Sequence, residues 1–344
     1  MSPRTIVASA PAKVILLGGK GVNWGFPALV AAVGMRTTCT LRAGTGDWYR
    51  FAYDGRTEAG DRGTLAAFRK KADELRAAKS YGDITALARQ DFFAPMRHVL
   101  AHVVERAGLL GFEITWESGV PVGSGLGSGA AAAASLAAAA FRAADAAPSL
   151  TELAWVAWQA DVIAHGGLGT GLDTSASALG GIVRYSLGDG PRPAAPKAMP
   201  ALVIGDTLLR ASTATSNTAS RNWLEEHPMR SHLLEEMGML VEQAEEALET
   251  GDLPRLGHLM NLNQLIKEKL GMSVPMIEQL IEASLGAGAL GAKISGKGLG
   301  GIIVALSPEG KQKDIARAIE AAGGKAIVPA VGVRGATIES DSRG

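Results

Sequence analysis

The sequence predicts an α+β protein of two domains, and three observations support this fold class. The chain has 344 residues, which is enough for two domains of ordinary size. Patterns typical of strands and of helices alternate in both halves. Residues 188–200 are rich in proline and glycine, as linkers are. We therefore predict domains at 1–190 and 191–338, followed by a flexible polar tail at 339–344.

The first domain begins with strand patterns. β-Branched residues alternate with others at 36–42, and residues 48–53 are predicted to pair with that strand. Residues 27–33 are apolar and fit either a helix or a buried strand. The charged, alanine-rich stretch at 56–90 is interpreted as a solvated helix face. The remaining strands are predicted at 5–10, 13–17, 111–118 and 181–186, and the helices at 92–107, 150–164 and 174–179.

The second domain is predicted to combine one sheet with several helices. A strand pattern at 201–205 opens it. Further strands are predicted at 293–294, 302–306 and 326–328, and helices at 215–226, 230–250, 253–268, 274–286 and 310–322.

Composition excludes several classes of function. The 34 basic and 34 acidic side chains cancel, so nothing favours nucleic acid or an anionic membrane as a partner. Cys39 is the sole cysteine, which rules out internal disulfides and CxxC metal sites. The start of the chain lacks a signal-peptide pattern, and no apolar run is long enough to span a bilayer. We expect a cytoplasmic protein that acts on a small molecule.

Three glycine-bearing segments carry the functional signal: 11–21, 121–130 and 293–301. In the central segment the loop 123–129 follows a predicted strand and leads into an alanine-rich helix. Glycines let backbone N–H groups approach a ligand, and the N-terminus of a helix attracts anions. The sequence therefore predicts an anion site here, and we infer the triphosphate of a nucleotide.

Together the three segments resemble the three motifs of the GHMP small-molecule kinases, in the same order and over most of the chain, from about Pro11 to Leu306. The resemblance implies ATP as phosphoryl donor and Mg²⁺ as cofactor. It also implies a ribosomal-S5-like N-terminal domain and a ferredoxin-like C-terminal α/β sandwich. Dimers are common among such kinases, so a homodimer is one option for the quaternary state.

Within this family the chain is most similar to the mevalonate kinases. The segments that carry the similarity are Lys13-Val14-Ile15-Leu16-Leu17-Gly18 with Gly25-Phe26-Pro27-Ala28-Leu29, Leu259-Met260-Asn261-Leu262-Asn263-Gln264 with Leu270-Gly271-Met272-Ser273, and Gly288-Ala289-Leu290-Gly291-Ala292-Lys293. This resemblance implies phosphorylation of the 5-hydroxyl of mevalonate, a step of isoprenoid biosynthesis.

The resemblance also implies a role for particular residues. Asp173 corresponds to the catalytic aspartate, which accepts or orients the hydroxyl proton, and Lys13 to the cation that holds it ionised. Asp161 and Ser128 are implied as Mg²⁺ ligands, since Mg²⁺ takes oxygen donors. The expected nucleotide-binding residues are Gly123, Ser124, Gly125, Leu126, Gly127, Ser128, Gly129, Gly296 and Gly298, and the expected substrate residues are Lys20, Thr170, Gly171 and Ser212.

Four departures from the family pattern leave alternatives open. Gly19-Lys20 replaces the usual Glu-His, and Gly129 replaces a serine that binds Mg²⁺ in relatives. Lys297 replaces a small residue, and one residue is inserted between His165 and Asp173. Lys20 suits the carboxylate of mevalonate or the phosphate of 5-phosphomevalonate, so phosphomevalonate kinase is the nearest alternative. A catalytically silent metabolite sensor is the alternative from another class.

Structural explanations also exist for single residues of this set. Asp173 fits the N-terminal cap of a helix, where aspartate is favoured. Asp161 fits a solvated helix position about as well as a metal ligand, and Lys297 is expected to be solvated. His165 is interpreted as a packed or capping histidine without a chemical role.

Overall fold

The first domain is built on an eight-stranded sheet. The computed structural model describes residues 4–108, 111–210 and 232–342. The order of the main path is β12-β1-β2-β5-β3-β4, while β6 pairs with the free part of β2 and β7 pairs with β6. These strands are β1 (Thr5–Leu17), β2 (Ala28–Ala43), β3 (Trp48–Tyr53), β4 (Arg56–Asp61), β5 (Phe112–Ser118), β6 (Ile182–Ser186), β7 (Gly190–Ala194) and β12 (Thr337–Ser342).

The described residues of this domain form six α-helices. They are α1 (Arg62–Ala77), α2 (Tyr81–Gln90), α3 (Ala94–Ala107), α4 (Ser128–Ala143), α5 (Leu150–Ala164) and α6 (Leu172–Leu179). Helix α4 packs against β1 and β2, and most of its alanines are buried. Because alanine is small and the best helix former, this segment forms a helix that can approach the sheet closely. A short 3₁₀ helix, Lys20–Trp24, connects β1 to β2.

The second domain has a four-stranded antiparallel sheet in the order β11-β8-β10-β9. Its strands are β8 (Ala201–Asp206), β9 (Gly291–Ser295), β10 (Ile302–Ser307) and β11 (Lys325–Ile327). The described helices are α7 (His232–Thr250), α8 (Leu253–Lys269), α9 (Pro275–Gly286) and α10 (Gln312–Ala321). Helices α8, α9 and α10 contact the sheet, and α7 packs on α8. The predicted α+β class is therefore confirmed.

The structure corrects several predicted elements. Residues 5–17 form one long strand rather than two, and 27–33 begins β2 rather than a helix. Strand β3 pairs with β4 and, in parallel, with β5, so its predicted pairing with 36–42 is wrong. The helix predicted at 215–226 lies outside the described residues.

The ends of the predicted domains also differ from the structure. Strand β7 forms a hairpin with β6, so the boundary predicted at residue 190 falls inside the first sheet, and the second sheet starts at Ala201. The prediction of a flexible tail at 339–344 is wrong for residues 339–342. Residues 337–342 form β12, which pairs with β1 and returns the chain to the first domain.

Among the helices of the described residues, none combines the length and the apolar character needed to cross a bilayer.

Candidate active site

The three glycine-bearing segments meet at the C-terminal half of β1. The backbone N–H of Lys13 donates to the carbonyl of Leu126 at 2.9 Å, which attaches the central loop to the strand. The N–H of Ile15 donates to Ser295 Oγ at 2.8 Å, which attaches the third segment. Strand β1 therefore positions both loops as well as its own side chains.

A cavity of about 310 Å³ lies where these segments converge. The predicted site residues that line it are Lys13, Lys20, Gly123, Gly125, Gly127, Ser128, Gly129, Asp161, Thr170, Asp173 and Gly296. Ser124 and Gly298 instead border a small gap between the two loops. Ser212 lies outside the described residues.

Two other predicted residues contribute through the backbone. The Leu126 side chain is buried in the hydrophobic core. Gly171 precedes α6 with a φ of +82°, and a Cβ there would lie 3.2 Å from the Trp158 ring. The geometry thus gives Leu126 and Gly171 structural roles beside the cavity, not direct lining positions.

Lys13 and Asp173 form an ion pair at the floor of the cavity. Lys13 Nζ lies 3.0 Å from Asp173 Oδ1, and the lysine side chain is only 3% exposed. Asp173 belongs to the first turn of α6, where unpaired N–H groups favour a negative charge. Its side chain does not cap the helix. The carboxylate is thus directed to the cavity lysine, and the capping explanation is wrong.

The central loop has the backbone conformation that an anion site requires. Gly123, Gly125 and Gly127 have φ values of +74°, +94° and +78°, in the left-handed region that glycine adopts readily. Helix α4 begins at Ser128, and its first residues line the cavity. A Cβ at Gly127 would lie 2.9 Å from Lys13 Cγ, so glycine is also needed for the close approach of the lysine.

Asp161 is a buried carboxylate in the same cavity, so the expectation of a solvated helix residue is wrong. Burial, opposed by His165 and Lys13 and assisted by the neighbouring Asp173, raises the pKa of Asp161 to about 6. His165 Nδ1 lies 3.8 Å from Asp161 Oδ1 and 3.1 Å from its backbone carbonyl. The cationic groups near Asp161 therefore do not fully offset the cost of burying its negative charge.

Two buried lysines whose roles were not predicted from the sequence, Lys267 and Lys293, donate to backbone carbonyls of the third segment and of β1 next to the cavity. Lys267 Nζ donates to the carbonyls of Ile294 and Gly296 at 3.2 and 2.9 Å, and Lys293 Nζ donates to that of Ile15 at 3.1 Å. Burial, with Lys13 and Lys20 nearby, lowers the pKa of Lys267 to about 7, and burial lowers that of Lys293 well below its usual value. Lys293 begins the third glycine-bearing segment, but no role was predicted for it, and no motif distinguishes Lys267 from a surface lysine on a helix.

Lys20 and Lys297 also face the cavity. Lys297 is half-buried rather than fully solvated, and this burial lowers its pKa to about 8, with Lys13 adding to the decrease and Asp173 opposing it. Lys20 is 8% exposed, and its Nζ lies 5.8 Å from the centre of the Trp24 ring. The cavity therefore carries an excess of positive charge suited to anionic ligands.

Both halves of the chain match known protein families. The family model described as "GHMP kinases N terminal domain" matches residues 95–181, and "GHMP kinases C terminal" matches 244–325. A mevalonate kinase of Pyrococcus abyssi is 33% identical, with 98% of each chain covered. One from Thermococcus sibiricus is 34% identical, covering 97% of this chain and 98% of the relative.

Among solved structures, L. major mevalonate kinase in complex with R-mevalonate is similar, with a TM-score of 0.71 and 23% identity. The match covers 94% of this chain and 95% of that one. At that identity the similarity concerns the fold. The family models, the full-length relatives and the convergence of the three motifs lead to one conclusion: the chain belongs to the GHMP kinase family.

Proposed function

We propose that this protein transfers the terminal phosphoryl group of ATP to the 5-hydroxyl of mevalonate. The observation that carries the proposal is the Lys13–Asp173 ion pair at the floor of a cavity that also contains the glycine loop. The mevalonate kinases of Pyrococcus abyssi and Thermococcus sibiricus are 33% and 34% identical to it and are covered over 98% of their length. Phosphoryl transfer depends mainly on positioning and charge stabilisation, and this cavity supplies both.

The proposed step uses Asp173 and Lys13 directly. The substrate hydroxyl oxygen attacks the terminal phosphorus of ATP while the bond from that phosphorus to the bridging oxygen breaks, and ADP leaves. Asp173 accepts the hydroxyl proton. Lys13, 3.0 Å from that carboxylate, stabilises the developing negative charge on the attacking oxygen.

The nucleotide phosphates would occupy the loop 123–129 and the first turn of α4. Free N–H groups at the start of a helix favour such anions. Lys297 approaches from the third segment and adds positive charge at the same place.

The donor set of the cavity fits Mg²⁺. Asp161 is a buried carboxylate without full compensation, and the Ser128 hydroxyl lines the same cavity. Both offer the oxygen atoms that Mg²⁺ prefers. Bound there, Mg²⁺ would hold the phosphate oxygens and neutralise part of their charge.

The acceptor would bind on the side of Lys20. Its ammonium lies in the cavity wall together with Asn23 and Thr170, where it can pair with the carboxylate of mevalonate. The same lysine favours one second candidate, phosphomevalonate kinase, because an additional cation next to Gly19 also suits a phosphate ester.

The test is a coupled ADP-release assay with Mg²⁺-ATP that compares mevalonate with 5-phosphomevalonate. We expect turnover on mevalonate and a decrease in kcat of about 10²- to 10⁴-fold in Asp173→Asn, with ATP affinity retained. Turnover on phosphomevalonate alone would mean that Lys20 binds the phosphate of this acceptor, and it would refute the mevalonate proposal. Nucleotide binding without turnover on either acceptor would favour the sensor alternative.

A further inference from the structure

A second group of potential ligands lies on the helices of the first domain, apart from the cavity. Asp73 on α1 and His98 and His102 on α3 place one ligand atom each within 4.8 Å of the others. Both histidines are buried, with exposures of 1% and 3%, whereas Asp73 faces solvent. The mechanism proposed above uses none of the three.

The surroundings of His98 determine which ring nitrogen is available. His98 Nδ1 lies 2.9 Å from the backbone carbonyl of Gln159 on α5. A carbonyl can only accept, so Nδ1 carries the proton and donates it. When the ring is neutral, Nε2 therefore keeps its lone pair, and this atom lies beside His102 Nε2 and Asp73 Oδ1. A carbonyl that fixes the tautomer of a histidine in this way is the usual outer partner of a metal-bound imidazole.

The separation of the two imidazoles matches a shared metal ion. His98 Nε2 and His102 Nε2 are 3.3 Å apart. A tetrahedral Zn²⁺ with bonds of about 2.0–2.1 Å would place its nitrogen ligands about 3.3–3.4 Å apart. Asp73 Oδ1 lies 3.8 Å from His98 Nε2, and its side chain is 47% exposed, so a small rotation brings it to the same ion.

The groups around His102 set one condition for binding. Arg106 Nη1 lies 3.4 Å from His102 Nδ1. A metal on Nε2 requires a proton on Nδ1, so Arg106 must turn away. Its side chain is 31% exposed, and its acidic neighbours Glu105 and Glu152 can receive it.

We propose that Asp73, His98 and His102 bind one divalent transition-metal ion, with Zn²⁺ as the best match and water as the fourth ligand. Imidazole donors favour such metals over Mg²⁺, which distinguishes this site from the one at Asp161. The ion would connect α1 to α3. Through His98 it would also fix the carbonyl of Gln159, two residues before Asp161 on α5.

The alternative is a direct hydrogen bond from His102 to His98 with no metal. A Zn²⁺ titration of the EDTA-treated full chain, measured by calorimetry, distinguishes the metal site from this hydrogen bond. Mg²⁺-ATP is present throughout to occupy the cavity. The variants are Asp73→Asn, whose side chain faces solvent, and His102→Gln, which removes a buried ligand. His258→Gln changes an exposed histidine on α8 and is the matched control. Circular dichroism verifies that each variant folds.

We expect wild type and His258→Gln to bind one equivalent of Zn²⁺ with the same affinity. His102→Gln should lose this equivalent, and Asp73→Asn should bind it roughly tenfold or more weakly. Co²⁺ in wild type should give the visible absorption of a tetrahedral site. Absence of Zn²⁺ binding in wild type, or unchanged binding in both Asp73→Asn and His102→Gln, would overturn the proposal in favour of the hydrogen bond.

Discussion

At the scale of single residues, Lys13 and Asp173 depend on each other for their roles. With Nζ and Oδ1 3.0 Å apart, removal of either leaves the other without its partner in the cavity. We therefore predict that Lys13→Met and Asp173→Asn each lower kcat/KM by about 10²- to 10⁴-fold. The double variant should lose about as much as either single variant, because residues that act as a unit are not additive.

Steady-state kinetics of the four proteins, with ATP affinity as the control for folding, form this double-mutant cycle. Losses that simply multiply in the double variant would mean that the two side chains act independently, despite their contact.

Lys267 provides a prediction on pH dependence. Burial, with Lys13 and Lys20 nearby, lowers its pKa from 10.5 to about 7 in the folded protein. Between these values the unfolded chain binds more protons, so the free energy of unfolding rises with pH. The penalty for burying the charge is fully present below about pH 7 and disappears towards pH 10.5. Lys267→Met should flatten this rise by about 1 kcal/mol per pH unit.

Urea unfolding at pH 7.5 and 9.5 measures that slope for both proteins. The slope is the informative quantity, since the variant also leaves the carbonyls of Ile294 and Gly296 without their donor. Parallel slopes would show that Lys267 is charged in the folded protein throughout this range.

At the scale of elements, Gly127, which precedes α4, and Gly129, in its first turn, differ in whether a side chain can replace them. Gly127 has a φ of +78°, and a Cβ there would displace Lys13. Gly129 lies inside α4, and a Cβ there would meet nothing within 4 Å. We predict that Gly127→Ala destabilises the protein by about 1–2 kcal/mol or more. Gly129→Ala should stabilise it by about 0.5–1 kcal/mol.

Thermal unfolding of the two variants side by side tests this contrast. The substitutions add the same methyl group two residues apart, so each is the control for the other. A loss of stability of the same size in both would mean that the loop, and not the conformation of Gly127, is sensitive to substitution.

The elements also show what could be predicted from the sequence. The glycine loop and α4 follow from local residue types, and the ion pair follows from family motifs that occur in order. The partners of β3 could not be predicted, because its parallel pairing with β5 joins segments about 60 residues apart in sequence. Buried Lys267 and Lys293 were missed since lysine is normally exposed, and only the assembled fold supplies their carbonyl acceptors.

At the scale of the whole molecule, the chain leaves the first domain, forms the second and returns as β12. This strand pairs with β1 only from Thr5 to Ser9, whereas Lys13, further along β1, pairs with Ala32 of β2. Asp341 on β12 lies 2.8 Å from Arg4 and 2.7 Å from Arg142. These two contacts hold the pKa of Asp341 well below its usual range, and the contact with Arg4 has the larger effect.

Removal of residues 337–344 should therefore lower the thermal stability of the protein and leave its catalytic rate nearly unchanged. The truncated protein loses a strand and exposes an edge of β1, so we predict that its Tm falls by roughly 5 °C or more. Its kcat at 25 °C should stay close to that of wild type, because the half of β1 that carries Lys13 keeps its neighbours. Asp341→Asn, which keeps the strand but weakens both ion pairs, should give a smaller decrease in Tm. An unchanged Tm in the truncated protein would favour the flexible tail that the sequence predicts over a stabilising strand. A large decrease in kcat of a fully folded truncated protein would instead mean that β12 holds the catalytic half of β1 in place.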